Sequence, residues 1–207
     1  MCYRLAMLRV GLTGGIATGK STVSRLFVEC GARLIDADVL ARETVAPGQP
    51  ALRKIADTFG REMLHPDGAL DRDRLGKAVF GNPAQLEKLN AIVHPPVAIA
   101  QERQSREIAG QDPHAVIIYD AALLIEAGAH KRMDTIIVVT ADAPTQLRRL
   151  MDRNKLTEEN ARRRIRSQMP LADKVALANH VIDGTLPVEQ LRKEVRTLYE
   201  ELKRLAS

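Results

Sequence analysis

The chain has 207 residues, 45% hydrophobic and 28% charged, a composition that supports one sizeable core with one or two small inserted lobes. Aromatics make up 3% with no Trp, which speaks against a surface that reads unpaired bases by stacking. The net charge of +5 equals the excess between Arg148 and Arg166 alone, where eight basic residues stand against three acidic ones, so the basic character is a local patch suited to an anionic ligand and not a nucleic-acid coat.

In chain order, Met1-Cys2-Tyr3-Arg4-Leu5-Ala6-Met7 holds no apolar run of secretory length, and no stretch nears the roughly 20 apolar residues of a membrane span. The expectation is a cytoplasmic protein with no membrane or nucleic-acid partner, starting at Met1 or Met7, and a monomer or small homo-oligomer. Cys2 and Cys30 lack metal-ligand spacing, and Cys30 falls on a helical apolar face as a small hydrophobe. Five nearly continuous apolar runs, Arg9–Thr13, Arg33–Asp36, Ala115–Asp120, Thr135–Thr140 and His180–Asp183, read as strands covered on both faces. Helical patterns separate them, which predicts a parallel α/β sheet.

The first strand runs into Gly14-x4-Gly19-Lys20-Ser21, a complete P-loop pattern, and an amphipathic helix follows with Val23, Leu26, Phe27 and Cys30 on one face and Gly31 as its stop. Glycines let backbone N–H groups turn toward phosphate oxygens, and the helix N-terminus adds its positive end. Gly15, Ile16, Ala17, Thr18, Gly19, Lys20, Ser21 and Thr22 are the candidate ATP-binding stretch. In a P-loop the lysine, here Lys20, reaches the β- and γ-phosphates, and the hydroxyl, here Ser21, ligates Mg²⁺.

The second strand ends in Asp36-Ala37-Asp38, at the carboxyl end where parallel sheets bind ligands. The i, i+2 spacing sends both carboxylates to one side of an extended chain. One carboxylate would accept a hydroxyl proton while the other orients ribose or a metal water; Asp38 also suits an N-cap for a helix beginning near Val39. Nearly 80 residues separate this strand from the third, too many for a simple crossover. Leu52, Ile55, Ala56 and Phe59 mark one helix there, and Leu86, Leu89, Ile92 and Val93 another, with Asn82-Pro83 as cap and N1 proline and His94 at its end before Pro95-Pro96.

The third strand closes on Asp120, as a Walker-B-like strand does, making Asp120 a second candidate for Mg²⁺ or its waters. Two readings of the arginine-rich segment stand side by side. Arg162, Arg163 and Arg166 form a solvated helix face, whereas Arg149, Arg153 and Arg164 are candidates to close over the triphosphate. The last helix carries Leu191, Val195, Leu198, Leu202 and Leu205 as its apolar stripe. A switch GTPase would need an Asn-Lys-x-Asp motif; Asn154-Lys155-Leu156-Thr157 lacks the carboxylate.

The combination resembles the dephospho-CoA kinase family over nearly the whole chain. It includes Gly11-Leu12-Thr13-Gly14-Gly15-Ile16, Asp36-Ala37-Asp38, Ala41-Arg42, Asn90-x3-His94-Pro95, Leu123-Leu124-Ile125-Glu126, and the stretch from Gln146 through Arg149, Arg153 and Arg164 to Gln168-Met169. The resemblance implies a five-stranded P-loop core over 1–43, 111–142 and 179–207, a helical acceptor-binding insert over 44–110 and an arginine-rich lid over 143–178. It implies phosphorylation of the ribose 3′-hydroxyl of dephospho-CoA by ATP with Mg²⁺. It places the base on Asp38 with Asp36 beside it and Lys20 and Arg149 as further catalytic groups. Asp36, Arg42, Asn90, His94 and Asp120 fall to the acceptor. The alternative is a P-loop kinase for another small hydroxyl or nucleotide acceptor.

Overall fold

The computed structural model describes residues 7–207, so the choice between Met1 and Met7 lies outside the described residues. Five strands form one sheet: β1 (Leu8–Gly14), β2 (Arg33–Asp36), β3 (Val116–Asp120), β4 (Thr135–Thr140) and β5 (His180–Asp183). Their order is β2-β3-β1-β4-β5, and β1 pairs in parallel with both β3 and β4, as β4 does with β5. The sheet is the parallel α/β arrangement the sequence predicts. Every residue of β3 is buried and β1 and β4 are buried over most of their length, whereas Leu34 on β2 and Val181 on β5 are over two-fifths exposed, because edge strands have a neighbour on one side only.

The helices are α1 (Lys20–Glu29), α2 (Ala37–Thr44), α3 (Pro50–Phe59), α4 (Arg72–Val79), α5 (Pro83–Gln111), α6 (Ala143–Asn154), α7 (Glu158–Arg166), α8 (Leu171–Val175) and α9 (Val188–Leu205). The chain divides into two compact units: residues up to Ile35 with Ser105–Ser207, and Asp36–Gln104. The lid segment expected over 143–178 lies in the first unit, and both Asp36 and Asp38 lie in the second.

In the first unit α1 and α9 pack on the sheet. Val10, Leu12, Ile118, Ile137 and Val139 meet Val23, Leu26, Phe27, Leu191, Val195 and Leu202 in one buried cluster. Each such side chain contributes about 1.5–3 kcal/mol of burial. On α9 the expected stripe is shifted at its end: Leu205 is exposed, while Tyr199 and Ala206 are buried. On the other sheet face a Cβ at Gly11 would stand 2.6 Å from Leu124 Cδ2 and 2.8 Å from Met133 Cγ, so any larger residue there would have to push those two side chains aside. On α6, the Thr145 amide donates to Asp142 and holds that carboxyl below the usual range.

The second unit has its own core of Val45, Ala51, Ile55, Met63, Leu75 and Val79, lined by Phe59, Leu70, Leu89, Ile92 and Val93. The second unit departs from the sequence reading in two places. First, the helix does not end at His94; α5 continues through Pro95 and Pro96 for 29 residues. The prolines remove the amide donors for the carbonyls of Ala91 and Ile92, yet the buried stripe resumes at Gln101, Ser105 and Ala109. Packing on both sides of the break outweighs the two lost bonds. The Asn82 cap is as expected, accepting from Gln85 N at 3.2 Å. Leu86, however, is exposed.

Second, the cap of α2 is Asp36 and not Asp38. Asp36 Oδ1 accepts from Asp38 N at 2.8 Å and Val39 N at 3.1 Å. The helix starts at Ala37, so Asp38 is helical, and the pair does not project together from an extended chain. The four-residue strand gives way to helix where the Asp36 carboxylate can take two of the amides that the first turn leaves without partners. Asp36→Ala should therefore cost about 1 kcal/mol of stability, read by chemical denaturation, whereas Asp36→Asn should be nearly neutral.

Candidate active site

In the first unit the site is built on the turn from β1 into α1. Ala17 has φ +60° and Gly19 φ +101°, left-handed conformations that reverse successive peptide planes and gather their N–H groups on one side. Thr18 Oγ1 donates to Gly15 O at 2.9 Å and ties the loop to itself. Gly14 has a steric reason as well, since a Cβ there would stand 2.5 Å from Val139 O on β4. The helix opens without a side-chain cap or an acidic residue in its first turn. Its leading amides thus keep their donor capacity, the condition for an anion at a helix N-terminus.

Lys20 Nζ forms an ion pair with Asp120 Oδ1, both largely shielded from solvent. The sheet register brings them together, because Leu12 of β1 stands opposite Asp120 of β3. Ser21 is exposed at the start of α1. Asp120 and Ser21 are hard oxygen donors, and among the described residues no cluster of three His, Cys, Asp or Glu forms a cage. That donor set fits Mg²⁺, which takes one or two protein oxygens and completes its shell with phosphates and water.

Of the three arginines singled out, Arg149 reaches the loop. Its Nη1 donates to Gly184 O at 3.0 Å and Thr18 O at 3.3 Å. Arg153 Nε donates instead to Asn154 Oδ1 at 3.0 Å on the exposed end of α6, and Arg164 is exposed on α7. Arg162 and Arg163 pair with Glu158 and Glu159 one turn earlier, the solvated face the spacing suggests. Thr157 caps that helix by accepting from Asn160 N.

Sequence reasoning missed how the segment after β5 serves the loop. Gly184 lies so close that an added Cβ would collide with Thr18 O. Asp183 Oδ1 accepts from Thr185 N at 2.9 Å and Thr185 Oγ1 at 2.7 Å, closing a local turn. Gly followed by a hydroxyl residue after a strand was the available signal. No spacing in the sequence singles out Gln168 or Lys174. Ile16 N donates to Gln168 Oε1 at 2.9 Å, and Lys174 is fully buried against Glu126 at 2.8 Å.

In the second unit, Asp38 and Arg42 are four residues apart on α2 and share one exposed face. The Asp38 carboxylate accepts no hydrogen bond from the described residues, in contrast to Asp36. Asn90 and His94 are likewise one turn apart on α5, both half-buried.

A family model described as dephospho-CoA kinase matches residues 8–189. A dephospho-CoA kinase of Streptomyces avermitilis is 47% identical over 196 residues, covering 95% of this chain and 94% of that protein. The solved dephospho-CoA kinase from Campylobacter jejuni is 25% identical with a TM-score of 0.62, over 95% of this chain and 98% of that one. Shikimate kinase from Aquifex aeolicus shares the fold at 17% identity and a TM-score of 0.52, over 97% of this chain and 100% of that one. No described helix is long and apolar enough to cross a membrane.

Proposed function

This chain belongs to the dephospho-CoA kinase family, and we propose that it performs that family's reaction with Asp38 as the base. ATP phosphorylates the ribose 3′-hydroxyl of dephospho-CoA, giving coenzyme A and ADP, the last step of coenzyme A synthesis. The observation that carries the role of Asp38 is the contrast between the two aspartates. The Oδ1 of Asp36 is spent on the amides of Asp38 and Val39, while the Asp38 carboxylate is exposed and has no donor from the described residues. A base needs a free oxygen to receive a proton; a cap does not.

The 3′-oxygen forms its bond to the γ-phosphorus as the bond to the β–γ bridging oxygen breaks, and its proton passes to Asp38. ADP leaves with the charge of the broken bond. Lys20 and the amides of the Gly15–Thr22 stretch that hold no other acceptor offset that charge, the Ile16 amide being taken by Gln168, with Arg149 beside them on the loop backbone. Arg153 contributes to ATP from the end of α6. Ser21 and Asp120 would hold Mg²⁺, which would supply positive charge against that developing on the phosphates. Asp36, Arg42, Asn90 and His94 hold and orient the acceptor, with Asp120 at the acceptor side of the phosphates.

The test is steady-state release of ADP with dephospho-CoA, shikimate and nucleoside monophosphates offered separately. Turnover is expected with dephospho-CoA. Turnover with shikimate or a monophosphate, and none with dephospho-CoA, would assign the chain to a different acceptor.

A further inference from the structure

Gln168 follows α7, and its carboxamide oxygen takes the N–H of Ile16 inside the phosphate-binding loop at 2.9 Å, across 152 residues of sequence. A backbone N–H bonds only the carbonyl end of a carboxamide. The contact therefore decides which way the group is turned and leaves the NH₂ directed elsewhere. That NH₂ donates to no acceptor among the described residues, and Gln168 is half-buried.

The position of Gln168 is held through its neighbour. Met169 N donates to Glu126 Oε1 at 3.2 Å. The same oxygen pairs with Lys174 Nζ at 2.8 Å, and Lys174, fully buried, donates also to Ala122 O at 2.8 Å. Thr13 Oγ1, at the end of β1, donates to that carbonyl at 3.1 Å. A buried ammonium tolerates little displacement from its carboxylate. Lys174 and Glu126 thus fasten the end of the lid segment to the strand that feeds the loop.

We propose that Gln168 is a phosphate-binding residue of the nucleotide site. Its oxygen is locked on the Ile16 amide, so its NH₂ donates to an oxygen of the phosphate chain of ATP. Glu126 and Lys174 are positioning residues that act through Met169. The proposal rests on the reading that Gly14–Ser21 grips ATP.

The experiment compares Q168A and Q168E by calorimetric titration with ATP, together with Tm and the KM for dephospho-CoA. Glutamate keeps an oxygen for the Ile16 amide but replaces the NH₂ with a second carboxylate oxygen that repels phosphate. Q168A should weaken ATP about tenfold and Q168E on the order of a hundredfold, with Tm and the dephospho-CoA KM close to those of the parent. Parental ATP affinity in Q168E would overturn the proposal. So would a loss in Q168E no larger than in Q168A, since Gln168 would then only prop Ile16. A general fall in Tm and in both substrates' affinities would also overturn it. Lys20→Ala in the same titration separates the two readings. Undiminished ATP affinity there defeats the loop assignment, whereas its loss beside a normal Q168E defeats only the role of Gln168.

Discussion

Lys20→Ala should lower kcat/KM by roughly 10³-fold or more, the scale of removing one cation from a transferring phosphoryl group. The ion pair with Asp120 adds a second consequence. Asp120 is 9% exposed, and without Lys20 its carboxylate loses its cation. Removing one partner of such a buried pair costs about 3 kcal/mol or more, which for a chain of this size is a fall in Tm of roughly 6–12 °C. The double variant Lys20→Ala/Asp120→Asn should recover part of that Tm and none of the turnover. Recovery of activity along with stability would mean that Lys20 serves folding and not phosphate chemistry. Near-parental turnover in the single variant would remove the loop from the reaction altogether.

Asp38→Asn should reduce kcat by about 10²-fold or more while sparing the KM for ATP, because asparagine keeps the shape of the side chain and loses the proton acceptor. Asp36→Asn is the matched control. Asparagine caps a helix about as well as aspartate, and Asp36 is the N-cap of α2, so this variant should keep its stability and lose less kcat than Asp38→Asn, with its effect falling on the KM for dephospho-CoA. If Asp36→Asn proves the more damaging of the two, the roles are reversed. Then the cap carboxylate works through the oxygen that the amides of Asp38 and Val39 leave open. Measured side by side at one pH, the two variants separate base from cap without reference to either substrate's affinity.

Much of this protein is written in local patterns. Strand β1, the loop with its glycines, Lys20 and Ser21, and the apolar face of α1 follow one another within about 20 residues, and each is read from spacing alone. The inner strands and most of the α9 stripe are equally legible, because burial on a sheet or helix face leaves a period of its own. Asp36-Ala37-Asp38 stands out in the sequence as paired carboxylates at a strand end, but which aspartate caps depends on where strand gives way to helix. That boundary is set by which amides find acceptors, not by composition. Pro95-Pro96 looked like a stop, yet packing beyond it keeps α5 going. Arg149 and Arg153 are alike in sequence, and only the placement of α6 against the loop sets one on Thr18 O and Gly184 O and leaves the other with Asn154. Gln168 on Ile16, and Lys174 on Glu126, join residues far apart in the chain. No periodicity encodes such pairs; they exist because the sheet and its helices bring distant segments within hydrogen-bond distance, where a buried charge must find its partner.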